Sequence, residues 1–181
     1  MIRLFVGIGL SDDVRDRLTE LQSGVPGARW VAPENLHVTL RFVGDLDHGL
    51  AEDLADALSL IRAPAFDLTL AGVSHFGQAD KARILYAGVT RDPGLIHLRD
   101  KVESACVRLG LAPETRKFTP HVTLAYLRDA APERIGLFAA THQSLRYPPE
   151  AVEQFSLFSS WPVGEGRHYE EEACFPLVLR G

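Results

Sequence analysis

The chain opens with a period of two: Ile2, Leu4, Val6 and Ile8 alternate with Arg3, Phe5 and Gly7, which predicts a strand. From Ser11 the period lengthens. Ser11 suits an N-cap, Asp12 and Asp13 suit the electropositive first turn, and Val14, Leu18 and Leu21 form one apolar stripe, so a short amphipathic helix is expected. Leu50, Leu54, Leu58 and Ile61 repeat that spacing over residues 50–61 until Pro64 forbids continuation. Alternation returns in AFDLTLAGV (65–73) and ARILYAGV (82–89), with a Gly-containing loop between them. Asp92 and Pro93 then suit N-cap and N1, Leu98, Val102, Ala105 and Leu109 make a stripe, and Gly110 suits the position just past a helix end. A shorter helix is expected near 132–140. After the Pro148–Pro149 break, AVEQFSLFSS and HYEEEACFPLVL read as strands.

With the strands expected around residues 37 and 121, the order is β, α, β, α, β, β, α, β, α, β, β. Helices mixed irregularly with hairpins indicate an α+β fold and not a doubly wound parallel sheet. The halves echo each other. HVTL occurs at residues 37–40 and again at 121–124, each copy flanked by helices, and each half contains a hairpin. Repetition of this kind predicts two lobes related by a pseudo-two-fold axis.

Composition narrows this picture without changing it. With 181 residues, 46% of them hydrophobic, the chain suits a single domain spanning 1–181 and made of two lobes. A charged fraction of 24% and a net charge of −5 argue against disorder and against a protein that coats long nucleic acid through its phosphates. A locally basic cleft stays open. The N-terminal apolar run is too short for a secretory signal, and no segment approaches the length of a membrane span. Cys106 and Cys174 lie far apart with no CxxC spacing, so a reduced cytoplasmic compartment is expected.

On a strand, His37 and Thr39 share one face while Val38 and Leu40 share the other, and the same holds for His121, Thr123, Val122 and Leu124. Each copy can anchor an apolar pair in a core and present an imidazole with a hydroxyl on the opposite side. Two such faces across a cleft suit phosphodiester chemistry without a metal. One neutral and one protonated His can take a proton from water and deliver another to the leaving oxygen. The hydroxyls can donate to the non-bridging phosphate oxygens, where transition-state charge gathers. A single His on a strand is more often structural than catalytic; the identical pair in separate halves tips the balance toward function. A metal site is disfavoured because no HxH, no HExxH and no carboxylate at ligand spacing accompanies either copy. Nucleophilic catalysis is disfavoured by the absence of a GxSxG elbow or a recognisable cysteine nucleophile.

The stretches RLFVGI, RWVAPENLHVTLRFVGD (29–45) and FTPHVTLAY (118–126), and the closing LFSS strand followed by HYEEEACFPL, resemble the 2H phosphoesterase superfamily. The likeness covers nearly the whole chain. Within the superfamily it is to the RNA 2′,3′-cyclic phosphodiesterases of the 2′-5′ RNA ligase family. The resemblance implies a bilobal α+β fold with two antiparallel sheets around a central cleft, each contributing one His-x-Thr. It implies His37 as general acid to the departing ribose oxygen, His121 as general base to water, and Thr39 and Thr123 on the phosphate. The implied reaction opens an RNA 2′,3′-cyclic phosphate, or a small cyclic nucleotide, to a 2′-phosphomonoester, with no cofactor. Alternatives are 2′-5′ RNA ligation as the main reaction at the same site, or a nucleotide- or RNA-end-binding module without turnover. No membrane association, no obligate protein partner and a monomer are expected.

One position departs from the pattern. Relatives commonly carry Arg shortly after the second His-x-Thr-Leu, where this chain has Tyr126. Simple alternation puts Tyr126 and Arg128, the nearby candidate for a replacement phosphate ligand, on the face opposite His121 unless a bulge or the strand's end brings Arg128 round, and puts Arg41 on the face of His37 and Thr39 as a candidate for phosphate or backbone contact. Pairing of Arg41 with a surface carboxylate is the competing reading. Trp30, Phe42, Phe118 and Tyr126 are candidates for base stacking, with core or loop packing as the alternative. His48, His75, His97, His142 and His168 have no repeated partner and read as structural or surface residues.

Overall fold

The computed structural model describes residues 1–181, apart from the side chain of Ala79. Its elements are β1 (Ile2–Gly9), α1 (Asp12–Leu21), β2 (Ala28–Trp30), β3 (His37–Leu46), α2 (His48–Ser59), β4 (Phe66–Leu68) and β5 (Leu70–Phe76) in the first half. The second half holds β6 (Ile84–Val89), α3 (Pro93–Arg108), β7 (His121–Leu127), α4 (Pro132–Thr141), β8 (Glu150–Val152), β9 (Gln154–Val163) and β10 (Gly166–Pro176).

The helices begin where their caps dictate. Ser11 Oγ accepts from the Val14 N–H at 3.3 Å, and the Asp92 carboxylate accepts from Gly94 at 2.7 Å. Helix α2 starts two residues before the apolar stripe at Leu50, because Asp47 caps it by accepting from the Leu50 N–H at 2.8 Å. Gly110 follows α3 at φ 92°, a left-handed conformation that favours glycine after a helix end. The segment read as one strand at 65–73 divides into β4 and β5. AVEQFSLFSS likewise divides into β8 and β9, and the three-residue β2 is too short to show a period.

The antiparallel strands run β10-β9-β1-β3-β7-β6-β5, with β2 also on β7. The two lobe sheets meet at one point, where Val38 pairs with Val122. These are the same position in the two HVTL copies, so the pseudo-two-fold axis passes between them. It also passes through the separate β4–β8 pair at Asp67 and Ala151, whose chain separation equals that of Val38 and Val122. The pairings beside the motif strands obey the same symmetry, β9 beside β1 as β5 beside β6, whereas β2–β7 and β9–β10 have no counterpart.

Both motif strands bulge directly after their His-x-Thr. Across β1 and β3, Val6 pairs with Arg41 and Gly7 with Thr39, which leaves Leu40 unpaired. Across β6 and β7, Leu85 pairs with Ala125 and Tyr86 with Thr123, which leaves Leu124 unpaired. An extra residue reverses the alternation beyond it. Leu40 and Arg41 are therefore both buried, as are Leu124 and Ala125, while Phe42 and Tyr126 are exposed.

The apolar backs of the motifs sit in one core. Val38, Val122 and Leu124 are fully buried and Leu40 nearly so, within a cluster that includes Leu54 and Leu58 of α2 and Leu98 and Val102 of α3. Burying each such side chain contributes about 1.5–3 kcal/mol, so the strands that carry the histidines are among the best anchored in the molecule.

Candidate active site

The segments preceding the two motifs place a backbone carbonyl against each imidazole. Nδ1 of His37 donates to the Asn35 carbonyl at 2.7 Å, and Nδ1 of His121 donates to the Thr119 carbonyl at 2.6 Å. A carbonyl can only accept, so in each neutral ring the proton sits on Nδ1 and Nε2 keeps its lone pair. The Thr39 hydroxyl donates to Nε2 of His37 at 2.8 Å. Glycine lies opposite both histidines on the neighbouring strand, Gly9 beside His37 and Gly88 beside His121. At Gly88 the requirement is steric: a Cβ there would come within 2.5 Å of the Ala71 carbonyl oxygen.

Aromatic rings close around both imidazoles, but unequally. Phe5 lies 4.7 Å from the His37 ring, and the edge contact with Tyr169 is at 5.2 Å. His121 has Phe76 edge-on at 4.8 Å and Tyr86 at 5.3 Å. Burial disfavours the charged ring and pushes His37 down to about 4, with the charges of His121 and Arg15 acting in the same direction and the Asn35 carbonyl against it. Burial lowers His121 as well, offset in part by the Thr119 carbonyl.

A cavity flanks the pair on each side of the axis. The larger, about 430 Å³, is lined by Thr39, Phe42, Phe76, Phe118 and His121, with Arg116 and Lys117 at its wall. The other, about 380 Å³, is lined by Arg29, Trp30, Asn35, Tyr126, Arg167 and Tyr169. The two correspond under the pseudo-symmetry, with Phe42 in one standing where Tyr126 stands in the other. All four candidate stacking residues thus line a cavity, although Trp30 also packs against Phe138 at 5.7 Å.

The arginines are where simple alternation fails. Arg41 was expected beside His37, with pairing to a carboxylate as the competing reading; the bulge at Leu40 turns it away, and the carboxylate pairing holds. Its Nε donates to Glu103 of α3 at 2.5 Å, and its terminal nitrogens donate to the Phe42 and Ala112 carbonyls, each at 2.5 Å. Glu103 in turn accepts from the Glu114 N–H at 2.8 Å, so Arg41 is a buried structural cation tying α3 and the following loop to β3. The bulge at Leu124 corrects the other expectation, because it brings Tyr126 onto the face of His121 and Thr123. Arg128 lies beyond the end of β7, exposed, and lines neither cavity.

Sequence reasoning missed Arg29 and Arg167. Arg29 lies directly across from Tyr126 in the β2–β7 pairing, with its guanidinium 5.0 Å from the ring centre. Arg29 opens the stretch RWVAPENLHVTLRFVGD and Arg167 directly precedes HYEEEACFPL, but nothing in those spellings shows that both reach one cavity. Arg116 and Lys117 did carry a signal, as a basic pair just before the second HVTL.

The family described as LigT like phosphoesterase matches the chain over residues 8–86 and 89–166, one stretch in each half. The RNA 2′,3′-cyclic phosphodiesterase of Geobacillus stearothermophilus is 33% identical over 96% of this chain, which spans 57% of that protein's length. The protein of the same description from Escherichia coli K12 is 32% identical over 87% of this chain and 86% of its own. Among solved structures, E. coli LigT complexed with 3′-AMP is similar with a TM-score of 0.77 and 29% identity, covering 97% of this chain and 98% of that one.

Proposed function

The chain belongs to the LigT-like phosphoesterase family of the 2H superfamily, and on that premise we propose that it hydrolyses RNA 2′,3′-cyclic phosphate ends to 2′-phosphomonoesters, using His37 and His121 without a metal. The observation that carries the reading is the two-fold repetition of one device: an Nδ1–H tied to the carbonyl two residues upstream, which leaves Nε2 as the working atom of each ring. The curated relatives named above act on this substrate class, and E. coli LigT accommodates a nucleotide.

The bond changes balance with two histidines. Nε2 of neutral His121 takes a proton from water as its oxygen bonds to phosphorus. Nε2 of protonated His37 gives a proton to the 3′-oxygen as the P–O3′ bond breaks, leaving the phosphate on the 2′-oxygen. Thr39 and Thr123 donate to the non-bridging oxygens. The low pKa of His37 gives this assignment a condition: the free protein holds that ring neutral, and the negative charge of the bound phosphate is what favours its protonation. Once Nε2 carries a proton, the Thr39 hydroxyl no longer donates to it and is released toward the phosphate.

No helix among the described residues is long and apolar enough to cross a membrane. A cytoplasmic, monomeric enzyme completes the reading; sedimentation at micromolar concentration checks the second part. The decisive experiment incubates the protein with a cyclic-ended oligonucleotide and locates the product phosphate. A 2′-phosphomonoester formed at an undiminished rate in EDTA is expected; a 3′-phosphate, or no product, would overturn the reading.

A further inference from the structure

The two cavities correspond by symmetry but differ in how their cations are paired. In the larger one, the guanidinium of Arg41 is matched by Glu103, that of Arg116 by Glu114 at 3.2 Å and that of Arg99 by Asp100 at 3.4 Å, Lys117 is the remaining cation, and Leu40, Phe42, Phe76 and Phe118 supply apolar wall. That lining suits a nucleoside. The smaller cavity holds two guanidiniums, Arg29 and Arg167, and no carboxylate lines it. Arg29 is held by stacking on Tyr126 and by close packing on Gly166, where an added Cβ would stand 3.1 Å from its Nη1. Among the described residues its nitrogens have no side-chain or carbonyl acceptor. Arg167 is fixed by Nε to Ser160 Oγ at 2.5 Å and by Nη2 to the Ser160 carbonyl at 2.9 Å, which leaves Nη1 unused. Tyr169, pushed up to about 12 chiefly by burial, adds a neutral phenol. In a chain with net charge −5, two cations without an acid between them form a site for an anion.

Neither histidine lines this cavity, but Asn35 and Tyr126 link it to the pair. Asn35 lines it while its carbonyl holds His37, and its side-chain amide donates to the Arg167 carbonyl at 2.7 Å. Tyr126 shares the face of His121 and Thr123. We propose that this cavity binds the phosphodiester preceding the cyclic end, with Arg29 and Arg167 on its non-bridging oxygens, and so makes the enzyme selective for RNA strands over cyclic mononucleotides. The proposal rests on the cyclic phosphodiesterase reading above.

The test compares a nucleoside 2′,3′-cyclic phosphate, a cyclic-ended dinucleotide, and the same dinucleotide with an uncharged methylphosphonate linkage. For the wild-type protein, kcat/KM on the charged dinucleotide should exceed that on the mononucleotide by on the order of tenfold, as a charge-assisted contact implies. The neutral linkage should remove that advantage. Arg29→Gln should remove it too, leave the mononucleotide unchanged, and be insensitive to the linkage charge. Equal wild-type kcat/KM on all three substrates overturns the subsite while leaving the phosphodiesterase reading intact. An equal loss on mononucleotide and dinucleotide in Arg29→Gln also overturns it, by placing Arg29 on the reacting phosphate. No wild-type turnover of any of the three overturns the phosphodiesterase reading itself.

Discussion

His37 and His121 occupy the same place in the same four-residue peptide, with the same Nδ1 anchor two residues upstream, and the protein treats them differently. His37 is enclosed by Phe5 and Tyr169, hydrogen-bonded to Thr39, and driven down to about 4 by burial with Arg15 nearby. His121 opens onto the larger cavity, and Thr123 makes no side-chain hydrogen bond among the described residues. The local peptide therefore sets tautomer and orientation, while side chains from distant strands set basicity. Identical motifs related by an axis thus become an unequal pair, with His37 the harder ring to protonate in the free protein.

Alanine at either histidine breaks the pair most severely. His37→Ala and His121→Ala should each lower kcat on a cyclic-ended oligonucleotide by roughly 10³-fold. An aryl phosphodiester separates the roles, since its leaving group needs no proton: it should restore much of the His37→Ala rate and none of the His121→Ala rate. Restoration of His121→Ala instead would reverse the assignment.

The bulges offer a second contrast, because Arg41 fills the position that Ala125 fills in the other half. Arg41→Leu strands the carboxylate of Glu103 and should cost about 3 kcal/mol in urea denaturation, and Arg41→Leu with Glu103→Leu should recover part of the loss. If the structural role is correct, the KM of the folded Arg41→Leu protein stays near the wild-type value.

The inequality also has a pH signature. An unfolded His takes up a proton near pH 6.5, whereas folded His37 resists until about pH 4, so between those values the unfolded chain binds more protons. Stability conferred by neutral His37 is complete above about 6.5 and is lost as pH falls toward 4. Between pH 7 and 4.5 the wild type should lose roughly 2 kcal/mol more than His37→Asn. Both rings are lowered, so the singly protonated pair exists below pH 6.5 and kcat/KM should peak between about 4 and 6.5. The optimum for kcat should lie higher, because bound phosphate favours protonation.

The smallest effect distinguishes the threonines. Thr39→Val and Thr123→Val should each lower kcat/KM by about tenfold, the scale of one hydrogen bond to a charged group. Only Thr39→Val should also move the acidic limb of the pH profile, since among the described residues Thr39 and not Thr123 bonds an imidazole.

Much of the scaffold was legible from period and punctuation. Ser11, Asp92 and Gly110 marked helix ends where the caps are found, and alternation placed Val38, Val122 and Leu124 in the core. The bulges were not legible, since a pairing offset of one residue leaves no trace in the spelling of a single strand. That is why Arg41 was expected on the phosphate and lies instead on Glu103, and why Tyr126 was expected to face away. Arg29 was invisible for a related reason: its value comes from lying across from Tyr126 in a strand of three residues.

The sequence by itself determined the two half-repeats, the His-x-Thr pairs with their apolar backs, and the family, because these are properties of local spacing and of residue identity. Tertiary structure decided which arginines are free, which cavity holds guanidiniums without a carboxylate, and which imidazole is harder to protonate. Those properties depend on register and on desolvation by residues far away in the chain, and neither is a local quantity.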